Sequence, residues 1–148
     1  MIKVINNYLN NEHLTSINEQ ITANDFPWYN NFRERHFVHP IILDTEVKSR
    51  FINIVKYFSF LKYEKIFNLN IKYYPQTNKI VNIKNEIVRE GNNICLFLNK
   101  NNGHMKFVGM NEIPSEENRC VLFPSKMEYF QSTSTDPQGR YIINISYI

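Results

Sequence analysis

The spacing of apolar residues changes along the chain, from a helical period in the first third to a period of two later. Between residues 10 and 23, apolar side chains recur every three or four positions, which predicts an amphipathic helix. The same spacing continues to about residue 67 and predicts a second, longer helix, with Asp44 or Thr45 as its N-cap. The apolar positions are Leu14, Ile17 and Ile21 in the first helix and Val47, Phe51, Ile54, Val55, Phe58 and Leu61 in the second.

From residue 68 onward, short alternating or wholly apolar stretches predict β-strands. The predicted strands cover residues 69–73, 94–98, 105–108, 119–123 and 140–148. Lys100-Asn-Asn-Gly103 predicts a hairpin turn between the second and third strands, and Glu117-Asn118 predicts a turn before the fourth. Helices followed by short antiparallel strands indicate an α+β fold, with the strands arranged as a sandwich or barrel.

Two segments between the predicted helices, residues 26–30 and 36–40, are aromatic and interrupted by proline. They predict short strands or an irregular segment that lines the interior. No repeat, low-complexity tract or Gly/Ser linker divides the 148 residues, so we interpret residues 1–148 as one domain. In this interpretation, residues 1–67 are its mainly helical, aromatic-rich part, and residues 68–148 are its strand-rich core.

Composition and charge exclude several classes of protein and partner. With 17 basic and 14 acidic residues the net charge is +3, which excludes a polybasic arm, and a pI of 8.8 argues against a nucleic-acid partner. The N-terminal residues do not read as a secretory signal, and the apolar runs are far shorter than the ~20 residues of a membrane span. Cys95 and Cys120 lie within apolar runs, which indicates buried, reduced thiols of a cytosolic protein. The 22 Asn, 19 Ile and 11 Lys residues indicate an AT-rich genome.

The second half contains a series of short motifs whose order is informative. The motifs are Tyr73-Tyr-Pro-Gln-Thr77, Leu98-Asn99, Asn101-Asn-Gly103, Lys106-Phe107, Glu117-Asn-Arg119, Phe123-Pro-Ser125, Thr133-Ser-Thr135, Arg140-Tyr-Ile-Ile-Asn144 and Tyr147, preceded by Phe26-Pro-Trp28 and Phe37-Val-His39. In this order the set resembles the small 2-oxoglutarate/Fe(II)-dependent oxygenase-like, or prolyl-hydroxylase-like, proteins of marine cyanophages. The resemblance extends from about Phe26 to Ile148, and an AT-rich genome suits such a source.

The resemblance implies both a fold and a reaction. The fold is a double-stranded β-helix, of the jelly-roll or cupin-like kind, with eight strands in two facing sheets and helices packed outside one sheet. In an active member, a His-x-Asp/Glu pair and a more distant His hold Fe(II), to which 2-oxoglutarate binds. An Arg pairs with the distal carboxylate of 2-oxoglutarate, because the guanidinium fork matches a carboxylate.

Compared with this pattern, the chain lacks the iron ligands. The positions that match the two His and the Asp/Glu fall at or near Ile83, Asn85 and Tyr129, and no His-x-Asp or His-x-Glu occurs anywhere. The resemblance therefore implies a degenerate member with no catalytic residues and no metal. The carboxylate site is better kept, since Arg140 matches the carboxylate-binding Arg and Tyr74 matches a Tyr beside it. The alternative for Arg140 is a cation at a strand edge, capped by an aspartate or by backbone carbonyls.

Two other groups were weighed as metal ligands. His36-x-x-His39, with Glu34 nearby, is the pair that comes nearest to metal-binding spacing, but without a third ligand we interpret it as structural. His104 follows the predicted hairpin glycine, which predicts an exposed position in a turn.

Three functional hypotheses remain open at this level. The first is a catalytically inactive domain without cofactor, serving as a structural or binding module for protein partners, for example in a symmetric phage virion. Residues 26–29 and 37–42 would then form its interface, and the protein would be found in the host cytoplasm during infection or in the virion. The second is an active Fe(II)/2-oxoglutarate dioxygenase that hydroxylates a protein or small molecule, with iron held by His36, His39 or His104. The third is a metal-free 2-oxoglutarate sensor that uses Arg140 and Tyr74.

Overall fold

Two antiparallel sheets make up most of the protein in the computed structural model, which describes residues 1–33, 35–59, 61–85 and 90–148. The larger sheet has the strand order β1-β10-β7-β12-β5-β3-β2, with β4 paired to β3, and the smaller has the order β6-β11-β8-β9. The strands are β1 (Lys3–Ile5), β2 (Tyr29–Asn31), β3 (His36–Leu43), β4 (Glu46–Val47), β5 (Ile66–Tyr74), β6 (Asn82–Asn85), β7 (Asn92–Phe97), β8 (His104–Phe107), β9 (Glu112–Pro114), β10 (Arg119–Pro124), β11 (Tyr129–Ser132) and β12 (Arg140–Tyr147).

From β5 to β12 the chain passes back and forth between the two sheets. Strands β5, β7, β10 and β12 lie in the larger sheet, whereas β6, β8, β9 and β11 lie in the smaller one. This arrangement is that of a double-stranded β-helix, in agreement with the expected fold. The inter-sheet core consists of Tyr74, Cys95, Phe97, Met105, Phe107, Val121, Phe123 and Ile142, with Ile83, Ile113, Met127 and Tyr129 packed against it.

The helices pack on the outer face of the larger sheet. Helix α1 (Asn11–Thr22) begins where the Asn10 side chain accepts a hydrogen bond from the His13 N–H at 2.8 Å, as an N-cap does. Its buried residues meet alternate strand residues in an outer core made of Leu14, Ile17, Ile21, Phe26, Ile41, Ile54, Phe58, Leu69, Ile71, Ile94, Leu96, Ile143, Ile145 and their neighbours. The first predicted helix is thus confirmed. Among the described residues, no helix has the length and apolar character needed to span a bilayer.

The second predicted helix, over residues 44–67, is wrong. Asp44 and Thr45 have φ angles of 50° and 73°, and β4 follows them and pairs with β3. A 3₁₀ helix (Arg50–Phe58) comes next, capped by the Ser49 side chain, which accepts from the Phe51 N–H. The β-branched residues of this stretch disfavour a long α-helix. Of the predicted apolar stripe, Ile54 and Phe58 are buried as expected.

The N-terminal part is therefore less helical than predicted. The proline-broken segment around residue 40 forms β3, a strand of eight residues that pairs with β2, β4 and β5. Pro40 is tolerated because the pairing register shifts at this point, between Pro40 and Ile42. Residues 1–67 thus extend the larger sheet as well as covering it.

The predicted hairpin at Lys100–Gly103 is also wrong. The strands on either side of it lie in different sheets, because β7 pairs with β10 and β12 whereas β8 pairs with β9 and β11. Side-chain amides shape the crossing: the Asn99 Oδ1 accepts from the Tyr141 N–H at 2.9 Å, and the Asn101 Oδ1 accepts from the Gly103 N–H at 2.8 Å. Asparagine and glycine suit such a crossing as well as they suit a hairpin.

Candidate functional site

Arg140 and Tyr74 lie opposite each other at one end of the space between the sheets. Arg140 begins β12, Tyr74 ends β5, and the two residues are partners in the strand register. Both are fully buried, and the Arg140 guanidinium carbon lies 5.8 Å from the centre of the Tyr74 ring and 5.0 Å from that of Phe97. Gly139 permits this approach: its φ is 69°, and a Cβ there would lie 2.5 Å from the Tyr74 carbonyl oxygen.

Arg140 uses only part of its hydrogen-bonding capacity. Its Nε donates to the Ser115 Oγ at 2.6 Å, and its Nη1 donates to the Ser132 carbonyl oxygen at 3.1 Å. Its Nη2 is buried and has no partner among the described residues. Of the alternative, a strand-edge cation capped by Asp136 or by backbone carbonyls, only the carbonyl part agrees with the structure. Arg140 is buried and donates to the Ser132 carbonyl oxygen, whereas the Asp136 carboxylate accepts from the Asn102 N–H.

The charge of Arg140 is not balanced by a carboxylate of the described part of the chain. Burial lowers the pKa of Arg140, whereas electrostatic interactions with Cys95 and Tyr74 raise it. Burial raises the pKa of the Cys95 thiol to about 11, so this neighbour is neutral near pH 7. A buried cation with no anionic partner is unfavourable, since its desolvation is not compensated.

Buried amide oxygens without partners lie deeper between the sheets. The Gln131 Nε2 donates to the Cys95 Sγ at 3.1 Å, which leaves the Gln131 Oε1 unpaired within the described residues. The Oδ1 atoms of Asn70 and Asn93 are buried and unpaired as well. Sequence reasoning missed these residues. The alternation of side chains along each strand could have identified them. Asn70 lies between Leu69 and Ile71, which both face the outer core, so Asn70 faces the smaller sheet. Gln131 lies on the same face of β11 as Tyr129, two residues earlier.

The structure brings the three predicted iron positions together. In the pairing of β6 with β11, Tyr129 lies opposite Asn85, and Gln131 lies opposite Ile83. Asn85 is buried and donates to the Ile83 carbonyl oxygen at 3.1 Å. Lys84 points to the other face, where it is exposed and forms an ion pair with a glutamate. Alternation along the strand therefore directs the residues at 83 and 85 inward.

These positions and Arg140 border the same core. Ile83 and Tyr129 pack against the inter-sheet core, which includes the Tyr74 and Phe97 rings that lie beside Arg140. The Tyr129 ring is 4.9 Å from the Phe123 ring and 6.0 Å from the Phe107 ring. The positions that the resemblance assigns to the iron ligands and to the carboxylate-binding Arg therefore border one core.

Those side chains do not fit Fe(II). Isoleucine has no donor atom, and neither a carboxamide nor a neutral phenol replaces the imidazole and carboxylate ligands that suit ferrous iron. Within the described residues, no three His, Cys, Asp or Glu side chains are grouped closely enough to hold a metal ion. At the position that the resemblance assigns to carboxylate binding, Arg140 is a buried guanidinium whose Nη2 has no partner among the described residues.

His36 and His39 do not form a metal pair. Three positions apart on a strand, they point to opposite faces: the His36 ring lies 5.1 Å from the Tyr74 ring, and the His39 ring lies 4.4 Å from the Phe26 ring in the outer core. Both nitrogens of His39 are engaged, Nδ1 with the Pro27 carbonyl oxygen and Nε2 with the Ser49 Oγ, each at 2.6 Å. Glu34 lies outside the described residues.

His104, predicted to be exposed in a turn, is buried. It begins β8 in the smaller sheet, and its Nε2 donates to the Asn82 Oδ1 at 2.8 Å and lies 3.5 Å from the Glu112 carboxylate. The exposed position of His104 was predicted because a hairpin was predicted at Lys100–Gly103. The chain instead crosses into the smaller sheet here, so the residue after Gly103 lies inside the fold.

The buried histidines predict that stability falls in mild acid. Burial lowers the pKa values of His39 and His104 below the 6.5 of a free imidazole, against the opposing effects of the Pro27 carbonyl and Glu112. The unfolded chain then binds more protons, so the stabilisation is complete above about pH 6.5 and is lost as the pH decreases below it. Urea unfolding between about pH 7.5 and 5.5 measures this loss.

The variants for this experiment are His39→Gln and His104→Gln. Each should reduce the dependence of the unfolding free energy on pH, because each removes one buried imidazole whose pKa is lowered. An unfolding free energy that increases toward pH 5.5 would contradict the prediction.

Comparisons with known proteins identify the fold but not a family. No protein-family model matches the sequence, and no curated protein matches it either. Solved structures do match over nearly the whole chain. A Trichoplax adhaerens prolyl hydroxylase, solved with a hypoxia-inducible-factor oxygen-degradation-domain peptide, has a TM-score of 0.71 and 14% identity over 99% of this chain and 83% of its own.

Two bacterial structures give the same result. A Pseudomonas putida prolyl-4-hydroxylase has a TM-score of 0.71 and 12% identity, covering 99% of this chain and 91% of that one. A 2OG-Fe(II) oxygenase-family oxidoreductase from Burkholderia pseudomallei has a TM-score of 0.72 and 11% identity, covering 99% and 83%. The chain therefore has the fold of the 2-oxoglutarate/Fe(II) oxygenases.

Proposed function

We propose that this chain, as one domain over residues 1–148, is a catalytically inactive relative of the 2-oxoglutarate/Fe(II) oxygenases that serves as a binding or structural module. One observation carries the proposal: Ile83, Asn85 and Tyr129 occupy adjacent inward positions on β6 and β11, where the resemblance expects the iron ligands. None of the three is a ligand that ferrous iron prefers. The scaffold around them is kept, with Arg140 and Tyr74 facing each other as expected.

The alternative of an active dioxygenase has less support. It requires iron ligands elsewhere, and the histidines of the sequence are His13, His36, His39 and His104. His39 faces the outer core with both nitrogens engaged, and His104 pairs with Asn82 on the smaller sheet. These side chains do not converge on one point between the sheets.

Anaerobic titration with Fe(II) in the presence of 2-oxoglutarate tests the proposal. We expect no saturable iron binding and no metal-to-ligand charge-transfer absorption, because the positions that would form the site lack imidazole and carboxylate groups. A charge-transfer band that saturates near one equivalent of Fe(II) would overturn the proposal and restore the dioxygenase hypothesis.

The partner that we propose is another protein, in a symmetric assembly such as a phage particle. The resemblance to cyanophage proteins supports this setting. The interface predicted at residues 26–29 and 37–42 needs revision, because Phe26, Ile41 and Ile42 are buried. Exposed apolar side chains lie instead near the edge of the larger sheet formed by β2 and β4, where Tyr29 is 57% and Val47 is 59% exposed.

Self-assembly through this edge is measurable by light scattering. We expect the purified chain to form oligomers and the variant with Tyr29→Lys and Val47→Lys to be monomeric, because charges on an edge prevent apolar packing. The substitution Lys62→Glu, at an exposed position away from the edge, serves as the control. A wild-type chain that stays monomeric at high concentration would contradict self-assembly.

A further inference from the structure

An open cavity of about 200 Å³ lies at one corner of the larger sheet, on its outer face. Leu122 and Tyr147 pack against the outer core, and their partners in the strand register are Lys3 and Asn92. Opposite residues of paired antiparallel strands point to the same face, so all four side chains lie on the outer side. The cavity is lined by residues in or next to four neighbouring strands: Met1, Lys3, Asn92, Leu122, Phe123 and Tyr147.

The cavity borders strand β1, which is the last strand of the larger sheet. β1 pairs with β10 on one side, and no described strand pairs with its other side. The main-chain N–H and C=O groups on that side are therefore available to another strand. The edge is also apolar, since the exposed fractions of Met1, Val4 and Ile5 are 94%, 47% and 39%. Free main-chain groups beside exposed apolar side chains are the features of a site for strand addition.

The size of the cavity indicates one side chain of a protein partner rather than a small molecule. Pockets that enclose small molecules usually have volumes of about 300–1,000 Å³, and this cavity is smaller. Neighbouring strands lie about 4.8 Å apart, so Leu122, on the second strand from the edge, is about 10 Å from a strand added to β1. A long side chain, such as that of phenylalanine or tryptophan, makes contact over this distance.

The charge of the edge indicates an acidic group on the partner. Lys3 is the only charged side chain among the six that line the cavity, and none of the ion pairs within the described residues involves it. Residues 1–5 contain no Asp or Glu, so a second copy paired to β1 would place an apolar residue or another lysine opposite Lys3. An extended segment of a different protein, with a carboxylate at this place, complements the charge.

We propose that the free edge of β1 binds an extended segment of another protein, which adds a strand to the larger sheet. One long apolar side chain of the segment lies in the corner cavity. A carboxylate two positions away pairs with Lys3, because alternate residues of a strand share a face. The residue between them lies on the other face, as Val4 does opposite Val121 of the inter-sheet core. This inference rests on the proposed role as a binding module and names the surface and the kind of partner.

Fluorescence anisotropy of a labelled peptide tests this site on the full chain. The probe is Ser-Thr-Phe-Val-Glu-Val-Thr-Ser, in which Phe and Glu are two residues apart, and a second peptide carries Lys in place of Glu. We expect saturable binding of the probe. The second peptide should bind about fivefold more weakly, because it replaces an attractive charge pair at Lys3 by a repulsive one.

Reversing the charge on the protein should reverse this preference. With Lys3→Glu, the Lys peptide should bind about fivefold more tightly than the Glu peptide, since the same pair is restored with exchanged signs. Lys79→Glu, at an exposed position in the loop before β6, is the control and should leave the preference unchanged. Hydrogen exchange with the bound probe should slow at residues 3–5 and stay the same in β2 and β4.

No binding of either peptide would overturn the inference, as would a preference that survives Lys3→Glu. Exchange that slows only in β2 and β4 would also overturn it, because the peptide would then occupy the opposite edge of the sheet. Oligomers of the chain that Val4→Lys dissociates, and that Tyr29→Lys with Val47→Lys does not, would assign the β1 edge to a second copy instead. The test uses no metal, so the iron titration decides the proposed inactivity independently.

Discussion

Three substitutions, Ile83→His, Asn85→Asp and Tyr129→His, are expected to create a ferrous-iron site in this protein. The positions already lie together: residues 83 and 85 face inward from β6, and residue 129 lies directly opposite residue 85 on β11. Placed there, two imidazoles and a carboxylate form the facial ligand set that Fe(II) prefers. Anaerobic titration should show an affinity for Fe(II) at least about a hundredfold higher than that of the wild-type chain.

The control for this variant uses the other face of the same two strands. Lys84→His and Phe130→His introduce histidines at positions that are partners in the register but lie one residue away from the inward set. They should not create an iron site, because alternation directs them outward and no carboxylate ligand accompanies them. If the triple variant binds no more iron than this control, the assignment of residues 83, 85 and 129 to the ligand positions is wrong.

Arg140→Met is expected to stabilise the ligand-free protein. The guanidinium is fully buried, has an unused N–H group and lacks an anionic partner in the described part of the chain. Replacing such a cation by an apolar side chain of similar length should raise the free energy of unfolding by about 1–2 kcal/mol, after the lost bonds to Ser115 and Ser132 are counted. Urea unfolding without added ligand measures the change.

Arg140→Ala is the matched comparison, and it should destabilise the protein by about 2–5 kcal/mol, because it leaves a cavity beside Tyr74 and Phe97. The two variants are expected to change the free energy of unfolding in opposite directions. The comparison therefore separates the effect of the Arg140 charge from the effect of its side-chain volume. A strongly destabilised Arg140→Met variant would instead mean that Arg140 is retained for its bonds to Ser115 and Ser132. A stabilised Arg140→Met variant would show that Arg140 is kept at the expense of stability.

Much of the local structure was predictable from the spacing of residues. The buried residues of α1 and the alternation in β7 and β12 follow from side-chain periodicity, which is a local property. The same alternation correctly directs residues 83 and 85 to one face. The prediction that Arg140 and Tyr74 lie close together agrees with their register, while their role in binding remains a prediction.

The wrong predictions concern segments whose local sequence pattern is compatible with two different long-range arrangements of the chain. The apolar spacing after Thr45 matches a helix, yet the chain turns into β4 because Ile42 pairs with Val47. The asparagine-glycine turn before His104 suits a hairpin, yet here it joins two sheets. In both places the outcome depends on strands that are distant in sequence, and local propensity carries no information about them.

The sequence by itself determined which chemistry is available between the sheets: it places isoleucine, asparagine and tyrosine at the positions where iron ligands are expected, and it provides Arg140. Only the tertiary structure decided that Arg140 is fully buried beside Tyr74 and Phe97 and that its Nη2 has no partner among the described residues. The reason is physical. Alternation along a strand sets which face a side chain occupies, but strand pairing and sheet stacking decide which faces meet and which polar atoms remain without a partner.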